Sequence, residues 1–300
     1  MNVLLCGDFD ATERAEWQAA LAAAMPEARW LNAATAQARP QDVAAAVVAN
    51  PPPGSLRDLP GLRLIQSLWA GVDRLLADPM LPAGVPIARM VDPAMNAAMA
   101  ETALWAVLSL HRGFFDYAQR QRAGLWRTHP QTPAQALRVT VLGQGQMGRA
   151  AAGRIAQLGY QVQGWRRDGV ALPQLLAATD IVVNLLPLTQ QTHGLLDARF
   201  FAALPGQASV VNLARGAHVV DADLLAALHS GHLRHAVLDV FNTEPLPPCH
   251  PYWQHPRVTV LPHAAAFTDP HSAAAVVAAN LRAARDGQPV LHAVDRSAGY

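Results

Sequence analysis

Gly143-Gln-Gly145-Gln-Met-Gly148 follows directly on the apolar run Val139-Thr-Val-Leu142 and opens a helical stretch that closes near Gly159. Three glycines at this spacing, between a strand and a helix, leave few folds open. The first permits a tight turn, the second lets backbone approach a pyrophosphate, and the third packs helix on strand. The helix N-terminus then offers free N–H groups and the positive end of its dipole to phosphates. The pattern predicts a dinucleotide site built from Gly143, Gln144, Gly145, Gln146, Met147 and Gly148. A glycine turn without a ligand is the other reading of the same residues.

The rest of the chain has the character of such a unit. Apolar runs at 3–6, 45–48, 62–67, 138–142, 161–165, 181–185, 209–212, 236–240 and 258–261 alternate with Ala/Leu-rich helical stretches. Alternation of this kind predicts parallel sheets covered by helices. With 51% hydrophobic and 15% charged residues, the chain can bury a large interior, and 300 residues suggest about two domains. The expected fold is α/β, two Rossmann-like doubly wound parallel-sheet domains with the active site in the cleft between them. Residues 1–96 and 268–300 are expected to form a discontinuous substrate-binding domain, and residues 97–267 a dinucleotide-binding domain. One long helix over 95–122 is predicted as the spine linking them.

Composition excludes several partners. A net charge of +1 gives no reason to expect nucleic acid or an anionic membrane. Cys6 and Cys249 form no disulfide framework, and no HExxH or paired CxxC spacing points to a metal. The N-terminus reads as a strand, no stretch is long and apolar enough to span a bilayer, and a soluble, cytoplasmic protein is expected.

The strand after the glycines ends in Trp165-Arg166-Arg167. An NAD site usually carries Asp or Glu here, to accept from the ribose hydroxyls. Guanidinium groups cannot accept, but they pair well with a 2′-phosphate, which favours NADP(H) while leaving NAD(H) possible. Two surface arginines at a strand end, or ribose recognition by Asp168, are the competing readings.

Three later strand ends carry polar residues: Arg215 in Asn212-Leu-Ala-Arg-Gly216, Glu244 after Asp239, and His263 after Leu261-Pro262. Carboxyl ends of strands line the ligand crevice of a doubly wound sheet. Together these side chains suit reduction of a keto acid. Arg binds the carboxylate and stabilises charge on the carbonyl oxygen, His supplies a proton, and Glu orients the ring and favours its charged form. Singly, each has a plainer reading. Arg before Gly can cap a turn, Glu-Pro is a common loop dipeptide, and the chain holds 12 His. His193, His218, His229, His232, His235, His250 and His255 show no comparable setting.

The same segments resemble the D-isomer-specific 2-hydroxyacid dehydrogenase family, most closely its glyoxylate/hydroxypyruvate reductase branch. The resemblance runs from about Ile65 to about Asn280. It is carried by Ala70-Gly71-Val72-Asp73, the glycine fingerprint, Leu186-Pro187-Leu188-Thr189, Asn212-Leu-Ala-Arg215-Gly216, Asp239-Val-Phe-Asn-Thr-Glu244-Pro245 and Pro262-His263. It implies that Arg215 binds substrate, Glu244 supports His263, and His263 is the acid/base. It further implies that Trp69, Ala70 and Gly71 hold the substrate carboxylate. Leu186, Pro187, Leu188, Thr189, Thr192, Ala214 and Asp239 would lie along the nicotinamide half. A homodimer is implied, with Trp126 as the residue that would enter the neighbour's pocket. Trp69 stands where many relatives have a small residue, which would shrink the pocket or only pack behind the loop. Two other functions remain to be weighed: a non-catalytic dinucleotide sensor, and a dehydrogenase of a different acid run in the oxidation direction.

Overall fold

Val139-Thr-Val-Leu142 is buried on both faces as a sheet strand, the environment that uninterrupted apolar runs require. The computed structural model describes residues 1–167 and 169–300, so Asp168 and its reading as a ribose ligand lie outside the described residues. Two compact units form, Met1–Met95 with Thr268–Tyr300 and Asn96–Phe267.

In chain order the first stretch supplies β1 (Asn2–Gly7), α1 (Ala11–Ala24), β2 (Arg29–Leu31), α2 (Ala33–Ala38), β3 (Ala45–Ala49), β4 (Leu64–Ser67), α3 (Asp73–Leu76) and β5 (Ile87–Ala88). Helix α4 (Pro93–Arg112) leads into the second unit. There follow α5 (Phe114–Arg122), β6 (Arg138–Leu142), α6 (Gln146–Ala156), β7 (Gln161–Trp165), α7 (Leu172–Leu176), β8 (Ile181–Asn184), α8 (Ala198–Ala203), β9 (Ala208–Asn212), α9 (Asp221–His229), β10 (Leu233–Leu238) and β11 (Val258–Val260). Helix α10 (Pro270–Arg285) belongs to the first unit.

Each unit is α/β with one parallel sheet, ordered β2-β1-β3-β4-β5 in the first and β11-β10-β9-β8-β6-β7 in the second. In the second sheet the chain builds outward from β6 to β7 on one side and from β8 onward on the other. The loops after β6 and β8 therefore part at a topological switch point, where doubly wound sheets bind ligands.

The long helix expected over 95–122 is two helices. The chain turns left-handed at Gly113 (φ 71°), which ends α4 and starts α5 on a new axis. Strands β2 and β5 had no counterpart among the expected runs. At three and two residues they are too short to leave a periodic signal.

His235, on β10, is buried, stacks on Phe115 at 4.6 Å, and places Nε2 2.9 Å from the Thr259 hydroxyl. Burial pushes its pKa from the ordinary 6.5 down to about 4. The folded protein thus holds this ring neutral where the unfolded chain would already be protonated. The resulting stability is complete above about pH 6.5 and is lost as pH falls towards 4, roughly 3 kcal/mol in all. Unfolding by denaturant at pH 7 and pH 4.5 should show this loss, and His235→Gln should flatten it. An equal pH dependence in that variant would assign the loss to other groups.

Candidate active site

The glycine loop lies at the switch point. Gly143 N–H donates to the Trp165 carbonyl (2.9 Å) and Leu185 N–H to the Leu142 carbonyl (2.8 Å), so three strand ends meet there. A Cβ on Gly148 would collide with the Gly143 carbonyl oxygen, and one on Gly143 would stand 2.6 Å from the Leu185 carbonyl oxygen. Gly145 caps α6 without a side-chain hydrogen bond and faces open space, leaving the first N–H groups of the helix for an anion. These features fit a pyrophosphate. Gln144 is folded inward, its amide donating to the Val141 and Gly143 carbonyls at 3.2 Å, while Gln146 is exposed and Met147 packs on the interior.

At the end of β7 the Trp165 indole N–H donates to the Val170 carbonyl (3.0 Å), and Gly169 N–H donates to the Arg166 carbonyl (3.0 Å). The turn so closed presents Arg166 and Arg167 at the surface. After β8, Leu186 is buried, and the Thr192 hydroxyl donates to the Pro187 carbonyl (2.7 Å) while accepting from Thr189 N–H (2.8 Å). Thr192 therefore shapes this strip from within.

Arg215, Glu244 and His263 follow β9, β10 and β11, three neighbouring strands, all at their carboxyl ends. His263 Nδ1 lies 2.7 Å from Glu244 Oε2, and Glu244 Oε1 accepts from Phe241 N–H at 2.9 Å. The carboxylate is thus fixed from one side and orients the imidazole from the other, leaving Nε2 to exchange a proton. The His263 side chain is half exposed.

His263 adopts φ 54°, a left-handed conformation uncommon outside glycine. Asp239 holds it there. Its carbonyl accepts from His263 N–H (2.8 Å), and its carboxylate accepts from the N–H groups of Ala264 (2.7 Å) and Ala265 (3.1 Å). Asp239 is 1% exposed, and burial raises its pKa while these two hydrogen bonds pull it back. Asp239 therefore braces the His263 turn from the end of β10.

Gly216 brings the Arg215 turn against the Glu244 loop, because a Cβ there would strike the Phe241 backbone. The Arg215 guanidinium donates to the Ala214 carbonyl (2.8 Å), and Ala214 N–H donates to Asn212 Oδ1 (3.3 Å). Two residues missed by sequence reasoning complete this corner, Asn184 and His218, both fully buried. Asn184 Nδ2 donates to Asn212 Oδ1 (3.0 Å) and lies 3.1 Å from His218 Nδ1. The available signal was a pair of asparagines at the ends of two apolar runs, which the sheet places in register.

In the first unit, the loop after β4 contains Trp69, Ala70 and Gly71, all partly exposed. Trp69 N–H donates to Ser67 Oγ (3.0 Å), and the Trp69 carbonyl accepts from Met90 N–H (3.1 Å). Among the described residues no cluster of three His, Cys, Asp or Glu could hold a metal ion, and no helix is long and apolar enough to cross a membrane.

A switch-point glycine loop with an oriented His–Glu pair on neighbouring strand ends defines a dinucleotide-dependent oxidoreductase. The chain belongs to the D-isomer-specific 2-hydroxyacid dehydrogenase family, whose NAD-binding-domain model matches residues 104–265. It is 37% identical to glyoxylate/hydroxypyruvate reductase A of Yersinia enterocolitica and 38% identical to that of Serratia proteamaculans, with all of each chain covered. Among solved structures, a family member from Xanthobacter autotrophicus in complex with NADPH is 39% identical, with a TM-score of 0.93 over 100% of this chain and 99% of that one. The NADPH-dependent glyoxylate/hydroxypyruvate reductase of Sinorhizobium meliloti, in complex with NADP and sulfate, is 34% identical with a TM-score of 0.92 over the same shares.

Proposed function

We propose that the protein reduces small 2-keto acids of the glyoxylate and hydroxypyruvate type to D-2-hydroxy acids, with NADPH as the preferred reductant. The observation that carries this reading is the 2.7 Å His263–Glu244 pair on a turn braced by Asp239. When bound, the nicotinamide supplies the hydride. His263 Nε2 donates the proton that the carbonyl oxygen takes up, and Glu244 balances the charged ring. Arg215 binds the substrate carboxylate and polarises the carbonyl, and the Trp69–Ala70–Gly71 loop adds backbone N–H groups. The glycine loop and the N-terminus of α6 hold the pyrophosphate, Arg166 and Arg167 take the 2′-phosphate, and Leu186, Pro187, Thr192, Ala214 and Asp239 flank the nicotinamide.

A homodimer fits the second unit. Trp126 is fully exposed, yet its loop is held in place: Arg120 donates to the carbonyls of Arg127 (2.8 Å) and Thr128 (3.1 Å), and the Tyr117 hydroxyl accepts from His129 N–H (3.0 Å). An indole presented on so firm a loop suits insertion into a second copy. Two cysteines without a disulfide suit the cytoplasm.

A steady-state panel of glyoxylate, hydroxypyruvate, pyruvate and a branched keto acid, each with NADPH and NADH, tests the reading. Turnover should be greatest with NADPH and one of the first two acids; no oxidation of NADPH with any of them would refute it. Cofactor choice has its own test. One charge-assisted contact is worth roughly 1.5–3 kcal/mol, so Arg166→Ala should raise the KM for NADPH about 10- to 150-fold and leave NADH nearly unchanged. Equal weakening of both cofactors would make the arginine structural.

A further inference from the structure

We propose that His218 is a positioning residue, tying the turn that carries Arg215 to the Leu186–Pro187 strip so that the two are held as one piece. The proposal rests on the assignment of Arg215 to the substrate and of that strip to the nicotinamide.

His218 closes the single helical turn that follows Arg215 and is wholly buried. Its Nε2 lies 3.3 Å from the Pro187 carbonyl oxygen, and its Nδ1 lies 3.1 Å from Asn184 Nδ2. A carbonyl only accepts and an amide NH2 only donates, so these two contacts together fit the tautomer with its proton on Nε2. Nδ1 is also 3.2 Å from the Arg215 carbonyl oxygen, which takes its hydrogen bond from Asn212 Nδ2 at 2.9 Å.

The bonds form one connected set. Asn184 anchors Leu186 N–H (3.2 Å), Asn212 anchors the Arg215 carbonyl and Ala214 N–H, and Asn184 donates to both Asn212 and His218. His218 alone among them also reaches Pro187. Removing the ring takes one acceptor from the Asn184 amide and one of two donors from the Pro187 carbonyl, which keeps the Thr192 hydroxyl (2.7 Å), and so cuts the direct tie between the two segments. A shift of about 1 Å in a group that aligns substrate can cost about 100-fold in rate.

Three substitutions separate positioning from mere filling of space. His218→Leu fills the volume without polar atoms. His218→Gln keeps an N–H at the Nε2 position for Pro187, and His218→Asn reproduces only the Nδ1 side. The leucine variant should lose about 10- to 100-fold in kcat/KM for glyoxylate, mainly through KM, with NADPH affinity by fluorescence nearly unchanged. His218→Gln should recover most of that loss and His218→Asn little. Wild-type kinetics in His218→Leu, or a glutamine variant no better than leucine, would overturn the proposal.

Histidine nitrogen NMR on the unmodified protein tests the geometry whatever the variants do. His218 should carry a proton on Nε2; a ring protonated on Nδ1 alone refutes the link to Pro187. Failure of the functional reading looks different: the unmodified protein then turns over no keto acid, and the NMR result still decides the link.

Discussion

Replacing His263 with alanine should lower the rate of keto-acid reduction by about 10²–10⁴-fold, the usual worth of a positioned acid. NADPH should still bind, because the glycine loop and the Arg166–Arg167 turn lie on other strand ends. Glu244→Gln should act in the same direction with a smaller loss. Its one amide oxygen can accept in place of a single carboxylate oxygen, from the ring or from Phe241 N–H, and the negative charge beside His263 is gone. Stopped-flow measurement of the hydride step, with binding followed by NADPH fluorescence, separates chemistry from affinity. A His263→Ala protein that reduces glyoxylate at the original rate would exclude His263 as the acid.

Arg215→Lys should cost about 10²–10³-fold in kcat/KM, comparable to removing one preorganised donor at a developing oxyanion. Lysine keeps the charge but loses the planar fork that meets a carboxylate with two parallel hydrogen bonds. It also loses the N–H that bonds the Ala214 carbonyl, so the cation would no longer be tethered to its own turn. Both kcat and KM should worsen, and NADPH affinity should hold. Original kinetics in this variant would remove Arg215 from the site. Loss of NADPH binding would instead mean that the turn itself had collapsed.

The α/β class, the family and the glycine loop were legible because each depends on short-range pattern. Fully buried parallel strands need uninterrupted apolar runs, and the pyrophosphate turn needs glycines at a fixed spacing after one of them. The break at Gly113 was not, since helix continues on both sides of it and only the left-handed turn divides the two. Asp239 shows another limit. Its motif marked it as a site residue, while its bracing of the His263 turn was hidden because the bonds to Ala264 and Ala265 cross from one strand end to the next, 25 and 26 positions along the chain.

His218 marks the same boundary more sharply. As one histidine among 12, it carried no periodicity or spacing to single it out. Its contacts come from β8 and β9 lying side by side, which puts Asn184 opposite Asn212 and brings the Pro187 carbonyl within reach of the ring. The sequence by itself determined most of the strand segments and the position of the glycine turn, and it brought forward the three side chains proposed to bear the chemistry. Only the tertiary structure decided which buried polar groups hold those side chains in place. A buried hydrogen bond is specified by where two strands end in space, and adjacent residues carry no trace of that distance.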